Sequence, residues 1–498
     1  MPQAEAKSAA DHWSTATARR GRPLSVSLKA GYGAGALADG IVAAGFGFFL
    51  LFYLTAVCGM SGTLAGTAKL IALLVDAIAD PAIGLASDRL RSRWGRRLPW
   101  MVFSLPPFAI AFGILFSMPE SLTGFPQFIY VTGCLIVLRV TLSGFVLPYT
   151  AVGAEVTDDY RERASIVSYR LISQSGGILL GVILGLGVYM SGDGGLLARE
   201  RYIPYAWTSA VLIMLAGLIA IVAVRKALPR LHAPTPETTP FLASFRREMI
   251  ELGRNRSFLV LFGTVLLYFL AYSASVSLSL HATRYFWNLD TFSIQLVLLS
   301  STLGPLLGAP ISSFILRRSE KRTLAISAFL GIAIFLMWPP LVKIYNPQIF
   351  TPSSTTPILV VNGILFGTTI MIGGVAFQSM LADTADEHEW LFGVRREGLF
   401  FSGLTLAYKG ASGLGGLIAG IALDVVGFPA DLASRPDAFQ LPSHVVERLG
   451  LIAGPLPALI VIVAPLFLFG YHLTRAKHKN IVVELEAMRT EAAVNEPR

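Results

Sequence analysis

Asp76 and Asp80 stand four residues apart in an otherwise apolar run from Leu70 to Leu85. In a helix, that spacing puts both carboxylates on one face. Two close carboxylates repel, and a shared proton or a bound Na⁺ relieves the repulsion. The pair therefore reads in two ways. It is a site for a coupling cation, or it is a structural ion pair with Lys69, seven residues back on the same face. Other charges interrupt apolar stretches in the same manner: Asp39, Arg139, Arg170 and Lys409. At the centre of a membrane helix each costs about 2.5–3.5 kcal/mol, so such residues face a wet cavity or one another. Arg139 is deep enough to neutralise Asp76 or Asp80. For Arg170, snorkelling to the near interface competes with a role in binding. Asp39 lies among small residues, Gly31 to Gly47, which permit close helix packing and leave room for a ligand.

These residues need elements to hold them. The chain has 498 residues, a formal net charge of +9, 54% hydrophobic residues and 14% charged ones, against about 25% charged in soluble domains. That excludes a disordered chain, a disulfide scaffold and an ordinary soluble enzyme. The two cysteines, Cys58 and Cys134, cannot build a disulfide framework. A bilayer core about 30 Å thick needs about 20 apolar residues per helix, and twelve such segments can be traced. The expected organisation is a cytoplasmic tail over 1–29, a six-helix bundle over 30–224, a Pro-rich and basic linker over 225–256, a second six-helix bundle over 257–474, and a short basic amphipathic tail over 475–498. The expected fold class is all-α, a twelve-helix membrane protein in two halves. Residues 1–29 lack the apolar core and cleavage site of a signal peptide. With both termini inside, inward segments carry 30 Lys/Arg and outward loops only three: Arg199, Arg201 and Arg435. That bias orients the chain. It also assigns the basic charge to orientation beside anionic lipid, with no role for nucleic acid.

The two halves echo one another. The second span ends in Asp88 and a loop holding Arg96 and Arg97, and the eighth ends in a similar basic loop. The fourth ends in Glu155…Asp159, and the tenth, expected over 354–382, is followed by Asp383, Asp386, Glu387, His388 and Glu389. Matching clusters in two six-helix halves indicate a parallel repeat of the major facilitator type, with cargo bound near the midplane. The second acidic cluster lacks HExxH or EF-hand spacing. It is expected to be solvated and to form gating ion pairs with Arg395 and Arg396, as Arg96 and Arg97 do with Asp88. No nucleotide loop or hydrolase motif is present, so an enzyme is not expected. A membrane sensor would need a signalling domain, and the 475–498 tail is too short for one.

One stretch carries a family resemblance. Asp76-Ala77-Ile78-Ala79-Asp80-Pro81…Gly84…Asp88…Arg91-Ser92-Arg93-Trp94-Gly95-Arg96-Arg97 resembles a signature of the glycoside–pentoside–hexuronide:cation symporters, the melibiose-permease group. Leu147-Pro148-Tyr149…Glu155, Tyr169-Arg170 and Ala382-Asp383…Arg395-Arg396-Glu397 resemble that family's helix junctions. The resemblance covers about residues 30–474. It implies alternating-access symport in the plasma (inner) membrane. It further implies a cation site of Asp76, Asp80 and the Ser143 hydroxyl, sugar contact at Asp39 and Arg170, and coupling through Lys409. Two positions depart from the pattern. Ala79 replaces an Asn ligand found in Na⁺-using members, and Val146 replaces a sugar-binding acid. The first leans the coupling ion toward H⁺ with Na⁺ open; the second weakens melibiose-like recognition. Tyr32, Tyr149, Tyr169, Trp338 and Gln174 are candidate cargo contacts, since sugar sites combine polar groups with an aromatic. The expected cargo is a sugar, glycoside or related small polar solute, with a lysolipid or other amphiphile as the alternative. The expected partners are that solute, the cation and the bilayer, and the expected working unit is a monomer. No cofactor beyond the coupling ion, H⁺ or Na⁺, is expected.

Overall fold

The structure is a computed structural model describing residues 24–90, 92–157, 159–192, 194–228, 250–393, 397–430, 432–435 and 440–495. Most of the expected N-terminal tail and central linker lies outside the described residues, as do Arg395 and Arg396. Among the described residues, twelve helical segments are long and apolar enough to cross a membrane. They are α1 Val26–Val57, α2 Gly62–Arg89, α3 Leu98–Leu115, α4 Gly124–Glu155, α5 Arg161–Tyr189 and α6 Arg199–Ala227. Then follow α7 Arg256–Phe286, α8 Thr291–Leu316, α9 Lys321–Tyr345, α10 Thr355–Phe392, α11 Glu397–Val425 and α12 Ser443–Leu468. A thirteenth helix, α13, covers Arg475–Asn495. Polar caps start several of them. Ser25, Ser61, Asp159, Asn255 and Asp290 each accept a first-turn backbone N–H, opening α1, α2, α5, α7 and α8.

The chain forms two compact units, residues 1–238 with 429–435 and residues 239–428 with 436–498. In the first, α1 packs on α5 and α6, α2 on α4, and α3 on α4 and α6. In the second, α7 packs on α11 and α12, α8 on α10, and α9 on α10 and α12. The second pattern is the first shifted by six helices, so the echo in the sequence is an echo in packing. Large apolar side chains such as Phe103, 72% exposed, cover helix surfaces, as lipid-facing surfaces require.

Close packing positions the polar residues of the first unit. A Cβ on Gly40 of α1 would sit 2.9 Å from the Gly177 Cα of α5, and one on Gly177 would sit 3.0 Å from the Gly40 Cα. Only hydrogen fits at that crossing. The backbones therefore meet, and the neighbouring Asp39 and Gln174 come within reach. Gly40→Val is expected to cost at least about 1–3 kcal/mol, the usual range for overpacking. A melting temperature in detergent equal to wild type would contradict the crossing.

Irregular turns lie next to the charges. In α1, Gly45–Phe49 and Tyr53–Val57 are π turns, and the Leu50 N–H reaches back to the Gly45 carbonyl. In α2, Pro81 follows Asp80 and has no N–H to give the Ala77 carbonyl. Both are places where a membrane helix loosens its backbone beside a polar site.

Two elements depart from the sequence expectation. The tenth span does not stop at 382: α10 runs on to Phe392 and ends at Gly393, whose φ of 71° is left-handed. The acidic cluster is thus helical, not a loop. And the tail beyond 475 is the helix α13, whose Ile481 and Leu485 are buried in the core of the second unit.

Candidate functional site

In the first unit, α2 and α4 bring Asp76 and Ser143 together. The Ser143 hydroxyl donates to Asp76 Oδ1 at 2.7 Å. Arg139, one turn before Ser143, places Nη2 3.4 Å from Asp76 Oδ2. Asp76 is only 2% exposed, so it depends on these contacts for the stability of its charge. An ion pair near 4 Å is worth about 4 kcal/mol at an effective dielectric of 20, and desolvation offsets much of that. The guanidinium also lies over the Phe46 ring, 5.7 Å from its centroid, and the π turn presents the Phe46 carbonyl to Lys69 Nζ at 3.5 Å. Two basic groups thus converge on Phe46, close to the carboxylates. Of the two carboxylates expected near Arg139, Asp76 is one it meets. Asp80 lies one turn further along α2 and is half-buried. At Asp76 one carboxylate oxygen accepts a hydroxyl hydrogen and the other faces a guanidinium.

A second polar group lies between α1 and α5. Gln174 Nε2 donates to Asp39 Oδ2 at 2.6 Å. Arg170 holds its guanidinium over the Tyr149 ring, 5.4 Å from the centroid, and its buried Nε has no hydrogen-bond partner. Tyr149 and Tyr32 lock together. Their rings stack at 4.5 Å, Tyr32 Oη donates to the Tyr149 carbonyl at 2.7 Å, and Tyr149 Oη donates to the Tyr32 carbonyl at 2.8 Å. Tyr149 is 1% exposed. Both hydroxyls donate within this pair, the packing role open to a tyrosine, and Tyr149 serves as the platform under Arg170. Trp338 likewise donates to Asn362 Oδ1 at 2.8 Å, within the second unit. Lys409 is half-buried on α11.

The charged ends of the helices show the same design in both units. In the first, Arg97 Nη2 meets Glu155 at 2.7 Å and Asp88 at 3.2 Å, and Arg96 also bonds Glu155. Glu155 is the centre of this group, and Asp88, half-exposed, is peripheral. In the second, Lys321 Nζ meets Asp383 at 2.7 Å. In each unit a cation at the start of the third helix holds an acid in the C-terminal part of the fourth. The expected solvation of the second cluster is corrected: Asp383 and Glu387 are each 6% exposed. Their partners come from α13. His478 Nε2 lies 3.0 Å from Asp386 and 3.5 Å from Asp383, Lys477 Nζ lies 3.4 Å from Glu387, and Arg489 grips Glu389 at 2.7 Å. Arg395 and Arg396, the partners expected for this cluster, lie outside the described residues. Glu155, Lys321 and α13 were not among the expected site residues. Pairing the clusters through the repeat would have found the first two. Matching the basic stretch 475–479 to the acids of 383–389 would have found the third.

Exposure separates these pairs in strength. Glu389→Ala breaks a pair whose arginine is half-exposed, so it is expected to cost under about 1 kcal/mol. Asp383→Ala takes the acid from Lys321 and leaves His478 with Asp386, and is expected to cost about 1–3 kcal/mol. Equal melting temperatures for the two variants would contradict this ranking.

Two repeated six-helix units with paired charge at membrane depth define a polytopic secondary transporter of the major facilitator fold. The chain belongs to the MFS/sugar transport protein family, whose sequence profile matches residues 31–475. It is 27% identical to the inner membrane symporter YicJ of Escherichia coli (strain K12), over 93% of this chain and 95% of that protein. It is 25% identical to the glucuronide carrier protein homolog of the same organism, over 92% and 94%. The solved D-xylose-proton symporter shares the fold at a TM-score of 0.57 and 15% identity, covering 90% of this chain and 97% of that one.

Proposed function

We propose that this protein is a cation-coupled symporter of a sugar or glycoside, working by alternating access in the plasma (inner) membrane with both termini cytoplasmic. The observation that carries this reading is the paired charge buried on α2 and α4, Asp76 with Ser143 and Arg139. Such charge is expensive inside a membrane and is kept where it does transport work. The names of the symporter and the glucuronide carrier relatives support the cargo class and the coupling.

Asp39, Gln174 and Arg170 form the cargo face of α1 and α5. Asp39 accepts hydroxyl hydrogens, and the unpartnered Nε of Arg170 donates to an oxygen. This set suits a polyhydroxylated solute better than an acyl chain. Neutralising the carboxylate charge on α2 lowers the cost of excluding water around the bound cargo. Lys409 is the cation of the second unit whose partners change as the transporter turns over. The charged groups at Glu155 and Asp383 gate the cytoplasmic end.

Uptake of tritiated methyl glycosides, free pentoses and glucuronides into proteoliposomes tests the cargo class, with ¹⁴C-lysophosphatidylcholine in parallel. Saturable uptake of one carbohydrate class, with KM raised about tenfold or more by Arg170→Gln, is expected from the loss of a charged hydrogen bond. Uptake of the lysolipid alone would replace this cargo reading.

A further inference from the structure

The group beside Asp76 bears on which cation can enter, an inference that rests on the transport reading above. A Na⁺ site gathers several oxygens around a net negative charge. Here Ser143 occupies Oδ1 of Asp76 at 2.7 Å, and Arg139 stands 3.4 Å from Oδ2. The neighbouring position 79 is an alanine and offers no oxygen ligand. Lys69, two turns before Asp76 on α2, is buried and points its ammonium at the Phe46 carbonyl, on the residue whose ring lies under Arg139. Two basic groups therefore meet at Phe46, and one of them, Arg139, faces Asp76.

We infer that Arg139 is a tethered counter-cation that occupies the Asp76 site and closes it to Na⁺. The guanidinium supplies the positive charge that a bound Na⁺ would supply, and its own charge repels a second cation at the same carboxylate. It is held by position more than by saturation. Its Nε has no hydrogen-bond partner, and its planar face rests on Phe46. Arg139 is a specificity-determining residue: it sets which ion the transporter uses without contacting cargo.

The test is equilibrium binding of ²²Na⁺ to the purified full-length protein, wild type beside Arg139→Gln and Arg139→Lys. Wild type and Arg139→Lys are expected to show no saturable Na⁺ binding in the millimolar range. Arg139→Gln, which keeps a planar hydrogen-bonding group but loses the charge, is expected to bind Na⁺ on the order of a hundredfold more tightly. Saturable Na⁺ binding by wild type as tight as that of Arg139→Gln would overturn the inference. So would binding by Arg139→Lys equal to that of Arg139→Gln. If Arg139→Gln does not fold, the wild-type titration decides alone: millimolar saturation overturns the inference, and its absence supports it. Binding needs no transport. A protein that accumulates no solute under any gradient defeats the symport reading and leaves this comparison standing.

Discussion

Asp80→Asn is expected to abolish gradient-driven accumulation while leaving the protein folded and in the membrane. The amide matches the carboxylate in shape and removes only its charge. One charge moved across 100 mV is worth about 2.3 kcal/mol, so one coupling ion per cargo supports roughly 50-fold accumulation. The variant should bring cargo only to equal concentrations on both sides. Exchange of internal for external cargo should persist, because exchange needs the cargo face and not the coupling step. Asp76→Asn is expected to uncouple as well, with a loss of stability. Its buried carboxylate is a partner of the part-exposed Arg139, and losing that contact is expected to cost about 1–3 kcal/mol. Full accumulation by Asp80→Asn would show that this carboxylate does not carry coupling.

Glu155→Ala is expected to cause the largest loss of stability at the charged helix ends. Glu155 alone accepts from both Arg96 and Arg97, and the Arg97 side chain is only 8% exposed. Two atoms of that guanidinium, Nε and Nη1, already have no partner. Removing the carboxylate leaves Arg97 with Asp88, which solvent screens. The expected cost is about 3–5 kcal/mol, measured as a lower unfolding midpoint in detergent. Asp88→Asn should cost under about 1 kcal/mol, because half-exposed pairs contribute little. A Glu155→Ala midpoint equal to that of Asp88→Asn would show that Glu155 is not the centre of the cluster.

The residues that could be read from sequence were those whose meaning is local. Twelve apolar segments follow from length and hydropathy. Asp76 and Asp80 declare themselves because charge is costly in a membrane helix, and the same cost required a partner for Arg139, which the structure supplies in Asp76. What stayed hidden depended on contacts between distant segments. Hydropathy ends the tenth span at 382, where charge begins. Yet α10 continues to Phe392, since Lys321 and Lys477 pair with its acids, His478 contacts Asp386, and the helix can run on. The tail beyond 475 is too polar to suggest a core, but α13 folds because that acidic surface is there to receive it. By residue type Tyr149 reads as a cargo contact or as packing. Its hydroxyl is taken by the Tyr32 carbonyl, a pairing across 117 residues that no local pattern encodes.

Tracer accumulation by wild-type proteoliposomes under imposed gradients tests ion-coupled transport most directly. With a transported glycoside, an inward proton gradient in sodium-free medium should drive the internal concentration above the external one. A protonophore should collapse it, and Asp80→Asn should eliminate it. Equilibration without accumulation, under proton and Na⁺ gradients alike, would contradict symport and make the charges on α2 structural.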